Sequence, residues 1–367
     1  MKQLIEVVKS GRWGCFHGEK VKEFEKQFSQ YHKSKFGIAV SSGSTGLIVA
    51  LKALGLKPDE EVIIPAYTFI ATAFSVIEAG GKPKFVDIDP ETYNISPKSI
   101  KESISPNTKG IIPVHLAGQS ANMTAILEIA SKYNLFVLED AAQAWGAEWN
   151  GKKVGTIGQA GIFSFQLSKN ITSGEGGIIL TNDQELAKKA RSFSNCGRME
   201  DGVWYEHYLV GGNYRLTEFQ GAVLLAQLAR YETLKQKREK NARYLTQRIS
   251  EIEGISPLKR EKEITSHANH LYIFRYDKNY FNQISKKRII EVLNAEGIPA
   301  YSGYSLPLYK QPVFREEYNY LSLPAVEKAC YEEAIWLNQR VLLGEEKDLD
   351  DIIDAFLKIR ENLSHLT

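Results

Sequence analysis

Short apolar runs alternate with stretches of helical periodicity from about residue 36 to residue 181, and no other feature limits the fold as much. The runs at 36–40, 62–64, 84–88, 110–115, 135–138, 160–165 and 176–181 read as buried strands. Helical spacing fills the gaps at 45–54, 70–79, 97–103 and 121–133. Strand and helix in alternation predict a mostly parallel, seven-stranded sheet covered by helices. Ligands of such sheets bind beyond the carboxyl ends of the strands. Residues that are hard to explain as packing therefore matter most where they follow a strand directly.

A long helical segment comes next, at 217–249, with Leu224, Leu228, Tyr231 and Leu234 at helical spacing. The charged run Lys235-Gln-Lys-Arg-Glu-Lys240 on it reads as a solvated face. After residue 250 the pattern changes. A strand at 271–276 precedes a helix capped by Ser285 and stopped at Gly297, and a last helix places Leu349, Ile352, Ile353 and Phe356 on one face. The expected organisation is a large α/β domain over 1–249 and a smaller α+β domain over 250–367.

Composition excludes several classes. A formal net charge of +2 lacks the basic excess of a nucleic-acid binder. No run approaches the roughly 18 apolar residues of a membrane helix. Residues 1–8 are too short and too charged for a signal peptide. Cys15, Cys196 and Cys330 are odd in number and far apart, which argues against a disulfide framework. His267 and His270 have no cysteine or third histidine near them, so no metal is expected. These features predict a reduced, cytoplasmic chain.

Lys169 ends the run Phe163-Ser-Phe-Gln-Leu-Ser-Lys169 and precedes Ser173-Gly-Glu-Gly-Gly177. An ammonium in a loop between two buried strands is unfavourable unless it reacts or pairs. Lysines of this kind form Schiff bases with carbonyls, most often that of pyridoxal phosphate (PLP). On these residues alone, a surface loop lysine is an equal reading. Ser41-Ser-Gly-Ser-Thr-Gly46 follows a strand and opens a helix, which suits a phosphate cradle or a simple capped turn. Asp140 closes a buried strand. In PLP chemistry an aspartate keeps the pyridinium nitrogen protonated, and the other reading is a helix N-cap. In Pro65-Ala-Tyr-Thr-Phe69 an aromatic residue either stacks on a flat ring or fills the core.

The order and spacing of these segments resemble the DegT/DnrJ/EryC1/StrS sugar aminotransferases, a branch of the fold-type-I PLP enzymes. The likeness runs nearly end to end, through Ser42-Gly-Ser-Thr-Gly-Leu47, Phe85-Val-Asp-Ile-Asp89, Pro113-Val-His-Leu-Ala-Gly-Gln119, Glu139-Asp-Ala-Ala-Gln143 and Gly212-Asn-Tyr-Arg-Leu-Thr-Glu-Phe-Gln220. It implies an α/β, aspartate-aminotransferase-like fold. It also implies transfer of an amino group from L-glutamine or L-glutamate to a keto sugar or keto cyclitol. Lys169 would bond the cofactor and, once freed, carry a proton between the substrate Cα and C4′ of the cofactor. Asp140 would pair with the pyridinium nitrogen, Gln143 would approach the ring hydroxyl, and Phe69 would stack on the ring. Gly43, Ser44, Thr45 and Ser164 would hold the phosphate, with Gln166 beside the lysine. Asn213 would reach the phosphate of a neighbouring subunit, which implies a C₂ homodimer with shared sites. Tyr301, Tyr304, Arg215 and Arg12 are candidate substrate residues, and Arg198 and Lys310 are further candidate cations.

Two departures narrow the likeness. Gln166 stands where the family most often has histidine, and the segment Pro307-Leu-Tyr-Lys-Gln-Pro-Val-Phe314 lacks the usual histidine of a substrate loop. Gln166, with Trp13-Gly-Cys-Phe-His-Gly18 and Arg340-Val-Leu-Leu-Gly344, is similar to one subgroup. That subgroup comprises the glutamine:scyllo-inosose and 2-deoxy-scyllo-inosose aminotransferases and the aminohydroxybenzoate synthases. The chain begins inside the family's first helix, which implies that upstream pocket-shaping residues are missing or minimal. Three alternatives remain: an NDP-keto-sugar aminotransferase, an aromatising synthase or dehydratase, and a non-catalytic regulatory relative. Intact Lys169 and Asp140 oppose the last.

Overall fold

The computed structural model describes residues 1–366. Seven strands form the main sheet: β1 (Phe36–Val40), β2 (Glu61–Pro65), β3 (Lys82–Val86), β4 (Thr108–Ile111), β5 (Phe136–Asp140), β6 (Ala160–Ser164) and β7 (Gly177–Thr181). Their spatial order is β1-β7-β6-β5-β4-β2-β3. β7 is antiparallel to both neighbours, and the other pairs are parallel. Strands β1, β2, β6 and β7 are mostly apolar, as helices covering both faces require, whereas β3 carries Lys82 and Lys84 and β4 carries Lys109. Val40, Ile64, Leu138, Ile162 and Ile179 share one buried cluster with Leu47, Leu51, Val76 and Ala190 of the helices.

Several strand boundaries differ from expectation, and two of the differences have clear reasons. β4 ends at Ile111 and does not reach residue 115, because Pro113 has no N–H for the ladder. β5 runs past the apolar residues to Asp140. Its penultimate residue, Glu139, is buried but well satisfied. It accepts 2.7 Å bonds from the N–H groups of Gly155, Ile157 and Gly158, and lies 2.9 Å from the His115 imidazole.

Helices Gly43–Ala53, Ala71–Glu78, Pro97–Ser103 and Met123–Tyr133 fill the expected gaps. Thr217 caps the 32-residue helix Glu218–Ile249 by accepting from the Gln220 N–H. Helices Lys20–His32 and Gln184–Ser194 lie outside the sequence-based expectation. The first places Phe24 and Phe28 against Phe163, Phe165 and Leu224.

Past residue 250 a four-stranded antiparallel sheet forms from Ile255–Pro257, Leu271–Tyr276, Ala334–Asn338 and Ala300–Tyr301, in that spatial order. Its apolar side packs on the helices Lys286–Ala295 and Glu346–Glu361 through Phe274, Ile289, Ile352 and Phe356. Tyr309, Phe314, Tyr318 and Trp336 instead join the cluster under the main sheet. The C-terminal part therefore leans over the carboxyl ends of the main strands.

Candidate active site

Four strand ends converge on one cavity of about 560 Å³. β1 leads into Ser42, Gly43 and Ser44, and β2 into Thr68, Phe69 and Thr72. β5 ends in Asp140 and leads to Gln143, while β6 ends in Ser164 and leads to Lys169. All these residues lie past carboxyl ends, where an open α/β sheet places its ligand crevice.

One end of the cavity is formed by the start of helix Gly43–Ala53. Ser42 accepts from the Thr45 N–H at 3.1 Å, and the Thr45 hydroxyl accepts from the Ser42 N–H at 3.0 Å. This closed capping box leaves the N–H groups of Gly43 and Ser44 without intrahelical acceptors, at the positive end of the helix dipole. A Cβ on Gly43 would lie 2.8 Å from the Cβ of Ser164. Glycine is therefore required for the helix start to lie against the end of β6. Thr45 itself does not line the cavity, because its hydroxyl is spent inside the box.

Asp140 is buried, and burial raises its pKa; the Ala142 N–H and the Thr72 hydroxyl oppose that rise. The Thr72 hydroxyl donates to Oδ2 at 2.9 Å, and the Ala142 N–H donates to Oδ1 at 3.2 Å. Thr68 lies 3.2 Å from Thr72, hydroxyl to hydroxyl. Lys169 is half-buried in the same cavity. Burial lowers its pKa to about 8, against the opposing charge of Asp140. A lysine so tuned exposes far more of its neutral amine near neutral pH than an ordinary lysine does, which suits nucleophilic and base chemistry.

Gln143 is oriented by its surroundings. Its Oε1 accepts from the Ala117 N–H at 2.7 Å, so its NH₂ faces the cavity side, 3.4 Å from the Tyr304 hydroxyl. It therefore presents donors to an acceptor such as a ring oxygen. Phe69 lines the cavity and is 59% exposed, whereas Tyr67 is buried in the core. Gln166 lines the cavity, but its Oε1 accepts from the N–H and hydroxyl of Ser168 at 2.8 and 2.7 Å. Its amide shapes the turn that ends in Lys169.

Matches to known proteins agree with this geometry. The DegT/DnrJ/EryC1/StrS aminotransferase family matches residues 1–357. The chain belongs to this family. It is 36% identical to a Streptoalloteichus tenebrarius protein named putative L-glutamine:3-amino-2,3-dideoxy-scyllo-inosose aminotransferase, over 100% of this chain and 93% of that one. The crystal structure of 3-amino-5-hydroxybenzoic acid synthase matches with a TM-score of 0.91 at 30% identity, over 98% and 95% of the two chains. NtdA from Bacillus subtilis, with bound cofactor PMP, matches with a TM-score of 0.88 at 29% identity, over 98% and 81%. The fold is that of the fold-type-I enzymes, and the chain is a PLP-dependent aminotransferase.

Not every candidate residue of this aminotransferase reaches the cavity. Tyr304 lines it, but Tyr301 is exposed on the edge strand Ala300–Tyr301 and does not. Arg12 is exposed and outside it. Arg215 and Arg198 line a different hollow, where Arg215 bonds Asn195 at 3.0 Å and Arg198 lies over Trp204. Lys310 pairs with Glu327 at 3.0 Å. Asn213 is exposed and belongs to no part of this chain's own cavity. Sequence reasoning missed, among others, Thr72, Glu175, His270, Leu271, Trp336 and Asn338, which also line the cavity. Thr72 follows Phe69 by three residues, so helical spacing offered a signal for it. Trp336 and Asn338 sit on a strand read from no motif.

Proposed function

We propose that this aminotransferase moves an amino group from L-glutamine or L-glutamate to the ketone of a cyclitol or sugar ring. The observation that carries this reading is the convergence, in one cavity, of a depressed-pKa lysine, a buried carboxylate and a free helix N-terminus. These residues fit PLP. Gly43, Ser44 and Ser164, with Ser42 and Thr45 shaping the helix start, would hold its phosphate. Asp140 would hold a proton on the pyridine nitrogen, and the Gln143 amide would donate to the ring oxygen. Phe69 would cover one ring face. Bound PLP supplies an electron sink for a carbanion at the substrate Cα. Lys169 would take the Cα proton and return it to C4′, working as a base within reach of both atoms.

The cavity favours a ketone without a nucleotide. No arginine lines it, and Lys169 is its single Lys or Arg among the described residues. A diphosphate would go unpaired there, whereas a polyhydroxylated ring would meet hydroxyl and amide partners. The carboxylate of the donor also needs a cation, and a second copy of the chain would bring one. Segment 203–210 exposes Val203, Trp204, Tyr205 and Tyr208 just before Asn213 and Arg215. An apolar patch of this kind marks an interface. In this reading the enzyme is a cytoplasmic homodimer with shared sites, and each subunit divides at residues 249 and 250.

The test is anaerobic titration of PLP-loaded protein with L-glutamine and L-glutamate, followed by scyllo-inosose and by keto sugar nucleotides. Loss of the visible cofactor band with a donor, and its return with one ketone, is the expected result. An unchanged band with both donors rejects the transfer. A dehydrated or aromatic product by mass would favour the synthase reading, which the match to 3-amino-5-hydroxybenzoic acid synthase keeps in view.

A further inference from the structure

Asn170 follows the reactive lysine directly, and its side chain is buried. It does not line the cavity, yet both ends of its amide are engaged by a segment a hundred residues away in sequence. Its Nδ2 donates to the Ala268 carbonyl at 2.9 Å, and its Oδ1 lies 3.0 Å from Nδ1 of His270. A carbonyl oxygen only accepts, so the amide nitrogen must face Ala268 and the amide oxygen must face His270. That oxygen is also only an acceptor. The Nδ1 of His270 must therefore carry the proton, and Nε2 is left bare.

The same segment grips the other side of the site. The His270 N–H donates to the Ala117 carbonyl at 2.8 Å, and the Ala268 N–H donates to the Gly118 carbonyl at 3.0 Å. Ala117 in turn donates its N–H to Gln143. Residues 268–270 thus tie the Lys169 loop and the Gln143 amide to one anchor. His270 lines the cavity with Lys169, and its ring meets Trp145 edge-on at 5.7 Å. Burial holds its pKa well below the usual value, so no second positive charge opposes the lysine.

We propose that Asn170 is a positioning residue for Lys169, clamping the lysine loop to residues 268–270 and holding His270 as the neutral Nδ1–H tautomer. The proposal rests on the reading of Lys169 as the amine that bonds PLP. Its consequence is a lysine whose backbone cannot slide along the crevice and whose neighbour cannot switch its ring. A misplacement of about an ångström at a reacting group lowers rates by up to about a hundredfold.

Two readouts test it on the full-length apoenzyme. The first is the two-bond ¹H–¹⁵N spectrum of histidine-labelled protein, with the His270 signals assigned by their loss in H270Q. The second is the rate at which the protein captures PLP as a borohydride-reducible linkage. The expected result is a protonated Nδ1 on His270 in the wild type, and loss of that tautomer in Asn170→Ala. PLP capture in that variant should fall about tenfold or more at every pH. H270Q keeps a donor to Asn170 and should lose less of the capture rate than Asn170→Ala does. A wild-type His270 protonated on Nε2 overturns the proposal, as does wild-type capture by Asn170→Ala. If Asn170→Ala does not fold, Asn170→Ser retains a small polar group there, and full-rate capture by it overturns the proposal too. No capture by the wild type would reject the reading of Lys169 itself, and the positioning role with it.

Discussion

The cavity has a floor and a wall, and they are built differently. The floor comes from the ends of β1, β2, β5 and β6. Most of its polar groups are held by local bonds, the capping box at Ser42, the Ala142 donor on Asp140 and the Ser168 bonds to Gln166, and the Thr72 donor on Asp140 links two strand ends. The wall comes from residues 270–338. It offers His270, Tyr304, Trp336 and Asn338, with Tyr304 and Trp336 stacked edge to face at 4.7 Å. The floor demands specific charges at specific atoms; the wall offers shape and hydrogen-bonding surface. Cofactor chemistry should therefore live on the floor, and choice of ketone on the wall.

Lys169→Ala should have the largest effect. It removes both the amine that bonds PLP and the base, and general base catalysis alone contributes up to about 10⁴-fold. Turnover with any donor should fall by about four orders of magnitude, measured as single-turnover loss of the cofactor band. Asp140→Asn comes next. It keeps shape but removes the charge that holds a proton on the pyridine nitrogen, and losing such a preorganised electrostatic partner costs about 10²–10³ in kcat. Both effects should appear with every ketone tested. A loss confined to one ketone would break the division between floor and wall.

The pH dependence follows from the sign of one shift. The Lys169 pKa is lowered to about 8 by burial, and the neutral amine is the reactive form. PLP capture by the apoenzyme should therefore level off above about pH 8 and fall about tenfold for each pH unit below it. Two units below the midpoint the loss is about a hundredfold. A midpoint near 10, the value of a free lysine, would show that the floor does not tune the amine.

Thr72→Val is a smaller and sharper probe. It removes the 2.9 Å donor to Asp140 without changing the volume much. A hydrogen bond to a charged group contributes about 1.5–3 kcal/mol, so PLP affinity should drop about tenfold to a hundredfold. Thr72→Ser keeps the donor and should recover most of that affinity. Equal losses in both variants would assign Thr72 to packing.

The same division explains what could be read before the fold was seen. The floor is written in short stretches of chain, because each strand end and the turn after it are contiguous. Phe163-Ser-Phe-Gln-Leu-Ser-Lys169 or Ser42-Gly-Ser-Thr-Gly-Leu47 carries its constraint within a few residues. The parallel sheet was legible for a related reason: seven apolar runs can be buried in few ways. The wall obeys no local rule. Trp336 reaches the cavity because Ala334–Asn338 pairs with Leu271–Tyr276, a register set by the tertiary packing of residues 277–333 between them. Tyr301 and Tyr304 looked equivalent in sequence. The chain bends at Gly303, whose φ of +68° suits glycine, and only Tyr304 turns inward. Thr45 and Gln166 also carry local structure: the capping box engages the Thr45 hydroxyl, and the Ser168 turn engages the Gln166 Oε1.

Trp336→Ala is the least damaging substitution and the most informative about the wall. The indole meets the Tyr304 ring edge-on, and Gly303 packs directly on its ring atoms. Its loss opens space beside the ketone without touching the capping box, the Asp140 donors or the Lys169 loop. An aromatic pair contributes about 0.5–1.5 kcal/mol beyond its buried area, so the acceptor KM should rise about twofold to tenfold. The rate of the donor half-reaction should change by less, because its proton transfers take place over the floor. The comparison to make is the ratio of kcat/KM between a cyclitol ketone and a nucleotide sugar ketone, in wild type and variant. A shift in that ratio places acceptor choice on the wall. An equal fall with both ketones, together with a slower donor half-reaction, would mean that Trp336 supports the floor through Tyr304 and Gln143, and the two regions would have to be treated as one.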